Sequence, residues 1–390
     1  MALAGARFSP GTRPSRPSRA ARDTAAPIRH IDLVLVVSVV CLAAIGLLMV
    51  YSSTRQKQAA AGLDPQDYLK RQALFIVLGL ILMAILAAVD YRVLRDVAPV
   101  IWIAVVFILI LVLTPLGSSS RGAHAWFQFG SINLEPSEAS KIGVIVVLAA
   151  YLSVHRGELG APQILTVLGL AGAPMLLIWR QPDLGTDLVF VAVLMGMLLV
   201  AGARPRHIAV LTLLGVVGIV GVFQLGILKE YQLERLSAFL DPAGDPQRSA
   251  YNLRQSQIAI AAGGLTGKGP LQGTQTNLSF VPEQHTDFIF TAVGEELGFV
   301  GASTLLVLFG LVLWRTWRTA ALAKDQFGQL ICVGVIAMLM FQIFENVGMT
   351  MGITPITGIP LPFVSYGGSA MLSCFAGIGL VLNVHMRRYA

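Results

Sequence analysis

The sequence predicts an all-α fold, a polytopic membrane protein of about ten transmembrane helices. Three observations carry that reading. The chain is 55% hydrophobic and only 13% charged, whereas soluble domains average about 25% charged residues. Apolar runs of roughly 18 residues or more, each long enough to cross a bilayer, recur along nearly its whole length. No alternative to helix is open to such runs, because within hydrocarbon only helices and closed barrels satisfy their own backbone hydrogen bonds.

The expected spans are roughly 31–52, 72–89, 97–116, 139–154, 161–179, 186–203, 207–228, 287–314, 329–353 and 366–385. The fourth is short, and no fixed-period repeat is visible. Residues 1–29, rich in Arg, Pro and Ala, read as a basic, disordered cytoplasmic arm without a cleavable signal, ahead of a membrane domain over 30–390. Cys41, Cys332 and Cys374 all fall in apolar runs and read as small packing residues, implying neither a disulfide nor a thiolate metal site. Placing both termini in the cytoplasm puts 16 of the 28 Lys and Arg residues inside, the bias that orients membrane proteins. Twelve of the 21 acids then fall outside. Asp64, Asp67, Glu230 and Glu234 read as solvated loop charges.

One outer connection, 229–286, is too long for a plain linker. It holds a turn cluster, DPAGDP, then a helix candidate over Ser249–Gly264 with Tyr251, Ile258 and Ala262 on one face, suited to lying along the membrane surface. The following GGLTGKG lacks the spacing and the Ser/Thr of a phosphate loop, so nucleotide binding is rejected. A flexible glycine turn is expected there, with Lys268 placed to meet an anionic headgroup.

The loop ends in VPEQHTDFIFTAVGEELGFVG. Thr286 and Asp287 suit a helix cap. Glu295 and Glu296 lie about 12 Å deeper, at 1.5 Å per residue. Glu345, in FENVG, sits at a similar depth in its own span. Intramembrane carboxylates are costly unless neutral, paired or wet, so these three are expected to share one polar interior as structural support.

Two further segments converge on the outer face. LEPSEASK starts a helix at Pro136, with Glu138 and Lys141 within ion-pair reach. WRQPDLGTD breaks between two spans and crowds Arg180, Asp183 and Asp187 together. Bases beside acids at a membrane rim suit a pyrophosphate headgroup: the base binds phosphate and the acid moves a proton. GITPITGIPLPFVSYGG, with three prolines and four glycines, reads as irregular backbone that re-enters at the outer face and shapes a cavity floor.

These four motifs, PEQHTDFIFTAVGEELGFVG, WRQPDLGTD, LEPSEASK and ITGIPLPFVSYGGSAML, together resemble the SEDS family (shape, elongation, division and sporulation), whose branches include RodA and FtsW. GAHAWFQFGSINLEPSE and GTQTNLSFVPEQHTDFIF look more like the RodA branch. The resemblance covers the chain from about residue 30 onward and implies a peptidoglycan glycosyltransferase. Such an enzyme polymerises lipid II at the outer face of the bacterial cytoplasmic membrane, beside a class B penicillin-binding protein that cross-links the strands. It places the catalytic carboxylate on Asp287, as general base for an inverting displacement. Pyrophosphate leaves readily, so no second carboxylate is required as acid. Arg121, Trp126, Glu138, Lys141, Arg180, Asp183, Lys268, Glu283 and His285 are the candidate substrate-binding residues. A divalent cation, Mg or Mn, is the other means of neutralising the leaving group; no nucleotide and no nucleic acid are expected. The competing classes are a lipid-linked precursor flippase or other transporter, for which inverted repeats are missing, and a non-catalytic scaffold.

Overall fold

The computed structural model describes residues 30–388, apart from 121–122, 131, 156, 158, 225, 227–231, 234, 236–238 and 240–248. The N-terminal arm, Arg121, Glu230, Glu234 and the DPAGDP turn lie outside the described residues. Eight helices are long and apolar enough to cross a membrane: α1 (Leu33–Ala60), α2 (Asp67–Ala88), α5 (Pro136–Val154), α6 (Ala161–Arg180), α8 (Pro205–Gln224), α11 (Ile289–Ala321), α12 (Gln326–Met351) and α13 (Gly368–Arg387). Two shorter apolar helices, α4 (Ala98–Val112) and α7 (Leu184–Val200), fall where the remaining two spans were expected. The chain is a multi-pass membrane protein. The short helices α3 (Tyr91–Asp96), α9 (Ser249–Gly263) and α10 (Thr274–Asn277) complete the helical part.

Local chemistry sets the helix ends. Asp32 caps α1 by accepting from Leu35 N at 3.1 Å, Asp183 caps α7 by accepting from Thr186 N at 3.0 Å, and Asp325 caps α12 by accepting from Gly328 N at 2.8 Å. Pro136 opens α5, where its missing N–H costs nothing. The core lies along α5, α12 and α13. In its apolar stretch α13 is 83% buried, whereas α8 is 0% buried and stands at the periphery. Small residues let α13 approach α2 closely: a Cβ added at Gly79 would meet the Phe375 ring at 2.3 Å, and one at Gly379 would meet the Met83 backbone at 2.8 Å.

The all-α expectation misses one element. β1 (Ser118–Ser120), β2 (Ala123–Phe129) and β3 (Ile132–Leu134) form a small antiparallel sheet in the order β1-β2-β3, packed against α4, α5 and α13. It lies between apolar runs, where span counting carries no information. The helix expected in the long loop is present over Ser249–Gly263. Tyr251 and Ile258 are exposed, and the packed face is Ala250, Leu253, Ser256 and Ala259. That face lies against α11 and α12, with Ser256 Oγ donating to Thr350 O at 2.7 Å. The packed face carries small residues because the helices approach closely: a Cβ at Gly263 would fall 1.9 Å from Gly294 O.

α11 is broken at Gly298, with φ 64 and ψ −165. The freed backbone groups are bonded by the glycine-rich loop. Lys268 N and Gly269 N donate to Glu295 O and Glu296 O, both at 3.0 Å, and Phe299 N and Val300 N donate to Gly264 O and Leu265 O at 2.9 and 3.0 Å. GGLTGKG is thus a glycine turn, but one pressed into a helix break. The two acids hold it there. Glu295, fully buried, accepts from Lys268 Nζ at 2.7 Å, from Gln275 N and Thr276 N at 2.8 and 2.9 Å, and from Thr276 Oγ1 at 2.8 Å. Glu296, also fully buried, accepts from Ser52 Oγ on α1 and from Leu271 N at 3.0 Å. Glu345 stands apart from this pair. It is nearly buried, and its backbone carbonyl accepts from Thr354 Oγ1 at 3.3 Å. The expected shared interior is therefore two separate sites, because Glu295 and Glu296 turn toward the docked loop.

Two outcomes follow for thermal unfolding in detergent. Lys268→Ala leaves Glu295 buried without its cation and is expected to cost about 3–5 kcal/mol, while Lys268→Arg is tolerated. A Lys268→Ala protein as stable as the parent would sink this assignment. Gly298→Ala meets the Gly267 backbone N at 2.2 Å in a left-handed conformation and is expected to cost about 1–3 kcal/mol.

Candidate functional site

A cavity of about 1360 Å³ opens among the starts of α2, α5 and α13, the break between α6 and α7, and two irregular segments, 283–287 and 355–360. Asp287 lines it, and its position is fixed through its backbone. Asn346, fully buried on α12, donates from Nδ2 to Asp287 O at 2.7 Å and to Ile359 O at 2.8 Å. Ser365 Oγ donates to Thr286 O at 2.5 Å and accepts from Leu361 N at 2.8 Å. Tyr366 N donates to His285 O at 2.9 Å. From within the segment, Glu283 O accepts from the N–H groups of Thr286, Asp287 and Phe288 at 3.2–3.3 Å. The HTD tripeptide is clamped by α12 and by the 355–366 segment, as expected of a segment that shapes the cavity.

Asp287 is not the cap of α11. The N-cap position is Phe288, with no side-chain cap bond, and Asp287 lines the cavity. Gly358, at φ 84, makes room for it. A Cβ there would lie 3.3 Å from Asp287 Oδ2 and 3.6 Å from Arg235 Nη1. Arg235 Nη1 also donates to Thr357 O at 3.1 Å, which brings a guanidinium to the same glycine as the carboxylate.

Opposite these residues the start of α5 supplies a buried ion pair, Lys141 Nζ to Glu138 Oε1 at 2.7 Å, with side chains 2% and 5% exposed. Trp126, Asp183, Glu283 and His285 line the same cavity. His285 sits edge-on to Tyr68 with centroids 5.0 Å apart, and Tyr68 sits edge-on to Tyr366 at 4.9 Å.

Seven of the residues chosen from sequence thus converge: Trp126, Glu138, Lys141, Asp183, Glu283, His285 and Asp287. Two do not. Arg180 is exposed at the end of α6, and Gln181, fully buried, is the residue that turns toward the cavity. Lys268 is taken by Glu295, away from the cavity. The structure adds Tyr68, Arg71, Glu135, Asp187, Arg235 and Tyr366 to the lining. Arg71 was hidden by its neighbour. Asp67, read as a solvated charge, pairs with it across one helical turn at 3.0 Å. Asn346 had a sequence signal, an amide beside Glu345 deep in an apolar run, but the acid drew the inference.

Breaking the Glu138–Lys141 pair by Lys141→Met is expected to destabilise the protein by about 3–5 kcal/mol, most of it recovered by the double change Glu138→Gln/Lys141→Met. Thermal unfolding of the three proteins checks this; equal losses in the single and double variants count against a paired site.

Comparisons with known proteins identify the family and the fold. Residues 32–390 match the model of the FtsW/RodA/SpoVE family, described as cell cycle proteins. The chain is 38% identical over 356 residues to the stage V sporulation protein E of Bacillus subtilis, covering 90% of this chain and 96% of that one. It is 35% identical over 359 residues to the peptidoglycan glycosyltransferase MrdB of Escherichia coli K12, covering 92% and 94%. With a probable peptidoglycan glycosyltransferase FtsW of Geobacter sp. M18 it shares 34% over 362 residues, covering 91% and 97%. A sporulation protein and two proteins named peptidoglycan glycosyltransferases therefore match at nearly equal identity. Among solved structures, a chain from a study of how a peptidoglycan synthase complex coordinates polymerization and crosslinking aligns with a TM-score of 0.76 at 33% identity, covering 92% of this chain and 98% of that one. The rod shape determining protein RodA of Thermus thermophilus aligns with a TM-score of 0.68 at 31% identity, covering 92% and 98%. Spanning nearly the full length of these relatives, this chain belongs to the FtsW/RodA/SpoVE family of cell cycle proteins.

Proposed function

We propose that this protein is a peptidoglycan glycosyltransferase that polymerises lipid II at the outer face of the cytoplasmic membrane, with Asp287 as general base. One observation carries the reading: a carboxylate on a clamped backbone faces a large cavity that also presents cationic side chains. Relatives along the full length are named peptidoglycan glycosyltransferases, which supports the reaction class.

In the proposed step the acceptor is the 4-hydroxyl of a lipid II sugar, and the donor is a strand linked to polyprenyl pyrophosphate. Asp287 takes the hydroxyl proton as the oxygen attacks the anomeric carbon. The C–O bond to pyrophosphate breaks on the opposite face with its electron pair, inverting the centre. Arg71, Arg235 and Lys141 line the cavity and offset the charge that collects on the pyrophosphate. The apolar wall formed by Leu188 and Val191 of α7 and by Gly215, Gly218 and Val222 of the peripheral α8 offers the polyprenyl chain a route from the bilayer. A divalent cation fits less well. Among the described residues no three His, Cys, Asp or Glu side chains are placed together to hold one, and no step here is routed through a metal. A neighbouring fold comes from a study of a complex that couples polymerization to crosslinking, which supports a transpeptidase partner of the class B penicillin-binding type.

The test is strand formation from lipid II by the purified protein with its transpeptidase. Asp287→Asn is expected to lose about 10²–10⁴-fold in rate, the range of a general base, with unchanged thermal unfolding. Equal rates would remove Asp287 as the base. Movement of labelled lipid II across vesicles without strand formation would favour a transporter instead.

A further inference from the structure

Four carboxylates line one side of the cavity: Glu135, Glu138, Asp183 and Asp187. Among the described residues one lysine, Lys141, answers them there, and it is engaged by Glu138 at 2.7 Å. In such a cluster a protonated carboxyl repels a phosphate less than a carboxylate does, and the hydrogen bonds distinguish among the four.

Glu138 has its ammonium partner, Lys141. Asp183 accepts a backbone N–H at the start of α7, where the helix dipole favours negative charge. Asp187, in the first turn of α7, and Glu135, at the N-cap position of α5, share the helix-start position, but among the described residues neither has an ion-pair partner. Asp187 is enclosed inside α7, and its Oδ1 has no hydrogen-bond partner. Glu135 precedes α5 but makes no side-chain bond to the helix N–H groups. Its carboxylate takes only the Ser137 hydroxyl, at 3.0 Å, while its backbone N–H donates to Ser369 Oγ on α13 at 2.8 Å. Of the two, Glu135 is the one that keeps an exposed surface toward the cavity. The groups facing it are Asp183 from the α6–α7 break and Glu138 and Lys141 from α5, with Ser369 from α13. Arg71, Arg235, Glu283, His285 and Asp287 line the same cavity.

We propose that Glu135 is a further substrate-binding residue, a protonated carboxyl on the cavity wall that donates a hydrogen bond to a phosphate oxygen of the polyprenyl pyrophosphate. The proposal rests on the glycosyltransferase reading for the identity of that substrate. The proton stays on Glu135 and no bond is broken. The electrostatics point the same way. Burial, with Asp183 and Glu138 alongside, pushes the Glu135 pKa up to about 8, against the smaller downward pull of Ser137 and Lys141. At neutral pH the group is a donor. Above about pH 8 it becomes a fourth negative charge beside the phosphate, and binding weakens.

Binding is read from tryptophan fluorescence, since Trp126 and Trp179 line the cavity. The probe is a short-chain polyprenyl pyrophosphate, with the corresponding polyprenol as control. For the parent protein the pyrophosphate affinity is expected to fall about tenfold per pH unit above the transition, with the polyprenol unaffected. Glu135→Ala is expected to lose about 10–100-fold in pyrophosphate affinity at neutral pH, the range for a hydrogen bond to a charged group. Glu135→Gln, a neutral donor of the same length, recovers most of that loss and abolishes the alkaline weakening. Infrared difference spectra between about pH 6 and pH 10 should show protonated-carboxyl intensity titrating in the parent, and Glu135→Gln should lose one carboxyl's share of it. Parallel alkaline weakening in parent and Glu135→Gln overturns the proposal, as does a Glu135→Gln protein that binds no better than Glu135→Ala. Failure of the parent to make strands from lipid II counts against the glycosyltransferase reading alone, because the binding and infrared readouts do not require turnover.

Discussion

Asn346 holds the site together. Its single amide nitrogen donates to Asp287 O and Ile359 O, and those carbonyls belong to the two irregular segments that meet at the cavity. Irregular backbone is tolerated at membrane depth only where protein or water satisfies it. One buried side chain on α12 does this for both segments at once. The Asp287 carboxylate therefore owes its position to a rigid helix rather than to the loop that carries it. Ser365 and Tyr366 complete the clamp from the other side.

The spans were legible because hydrocarbon permits so few structures, and apolar run length alone located the ten apolar helices. Legibility ended where the chain leaves that regime. The small sheet around Trp126 lies between runs, and the packed face of the loop helix is built from Ala250, Ser256 and Ala259 rather than from its larger apolar residues. The site followed the same division. Acids and bases crowded at breaks between spans were correctly suspected, and Asp183, Glu138, Lys141 and Asp287 meet in one cavity. Charge alone did not say which way a side chain turns. Arg180 and Lys268 carry the right chemistry but face away, and Gln181 and Asn346, neutral amides, face inward. Which of two adjacent polar residues points to the core is decided by helix phase and close packing, and one sequence shows that weakly.

The polar groups of this protein divide into two classes by what satisfies them. Glu295 and Glu296 have every reason to be ionisable residues in hydrocarbon that serve a mechanism, yet loop amides, Lys268 and Ser52 saturate them. The cavity wall is the reverse case. Its carboxylates outnumber its cations, and Glu138 Oε2, Asp187 Oδ1 and the Gln181 amide lack protein partners. A saturated cluster holds structure in place, whereas an unsaturated one beside a cavity has capacity for a ligand. That contrast separates the two sets of acids more clearly than depth in the membrane does.

The loop docked into the break of α11 also bears on how the protein is made. Lys268 precedes Glu295 by 27 residues, and Ser52, partner of Glu296, lies 244 residues upstream of it. Chain synthesis runs from the N-terminus, so the ammonium and the hydroxyl leave the ribosome before the two acids they receive. An apolar helix carrying adjacent carboxylates is a poor substrate for membrane insertion. Here each acid meets a partner that is already waiting, and the order of residues along the chain lowers the barrier to a helix that its own composition disfavours.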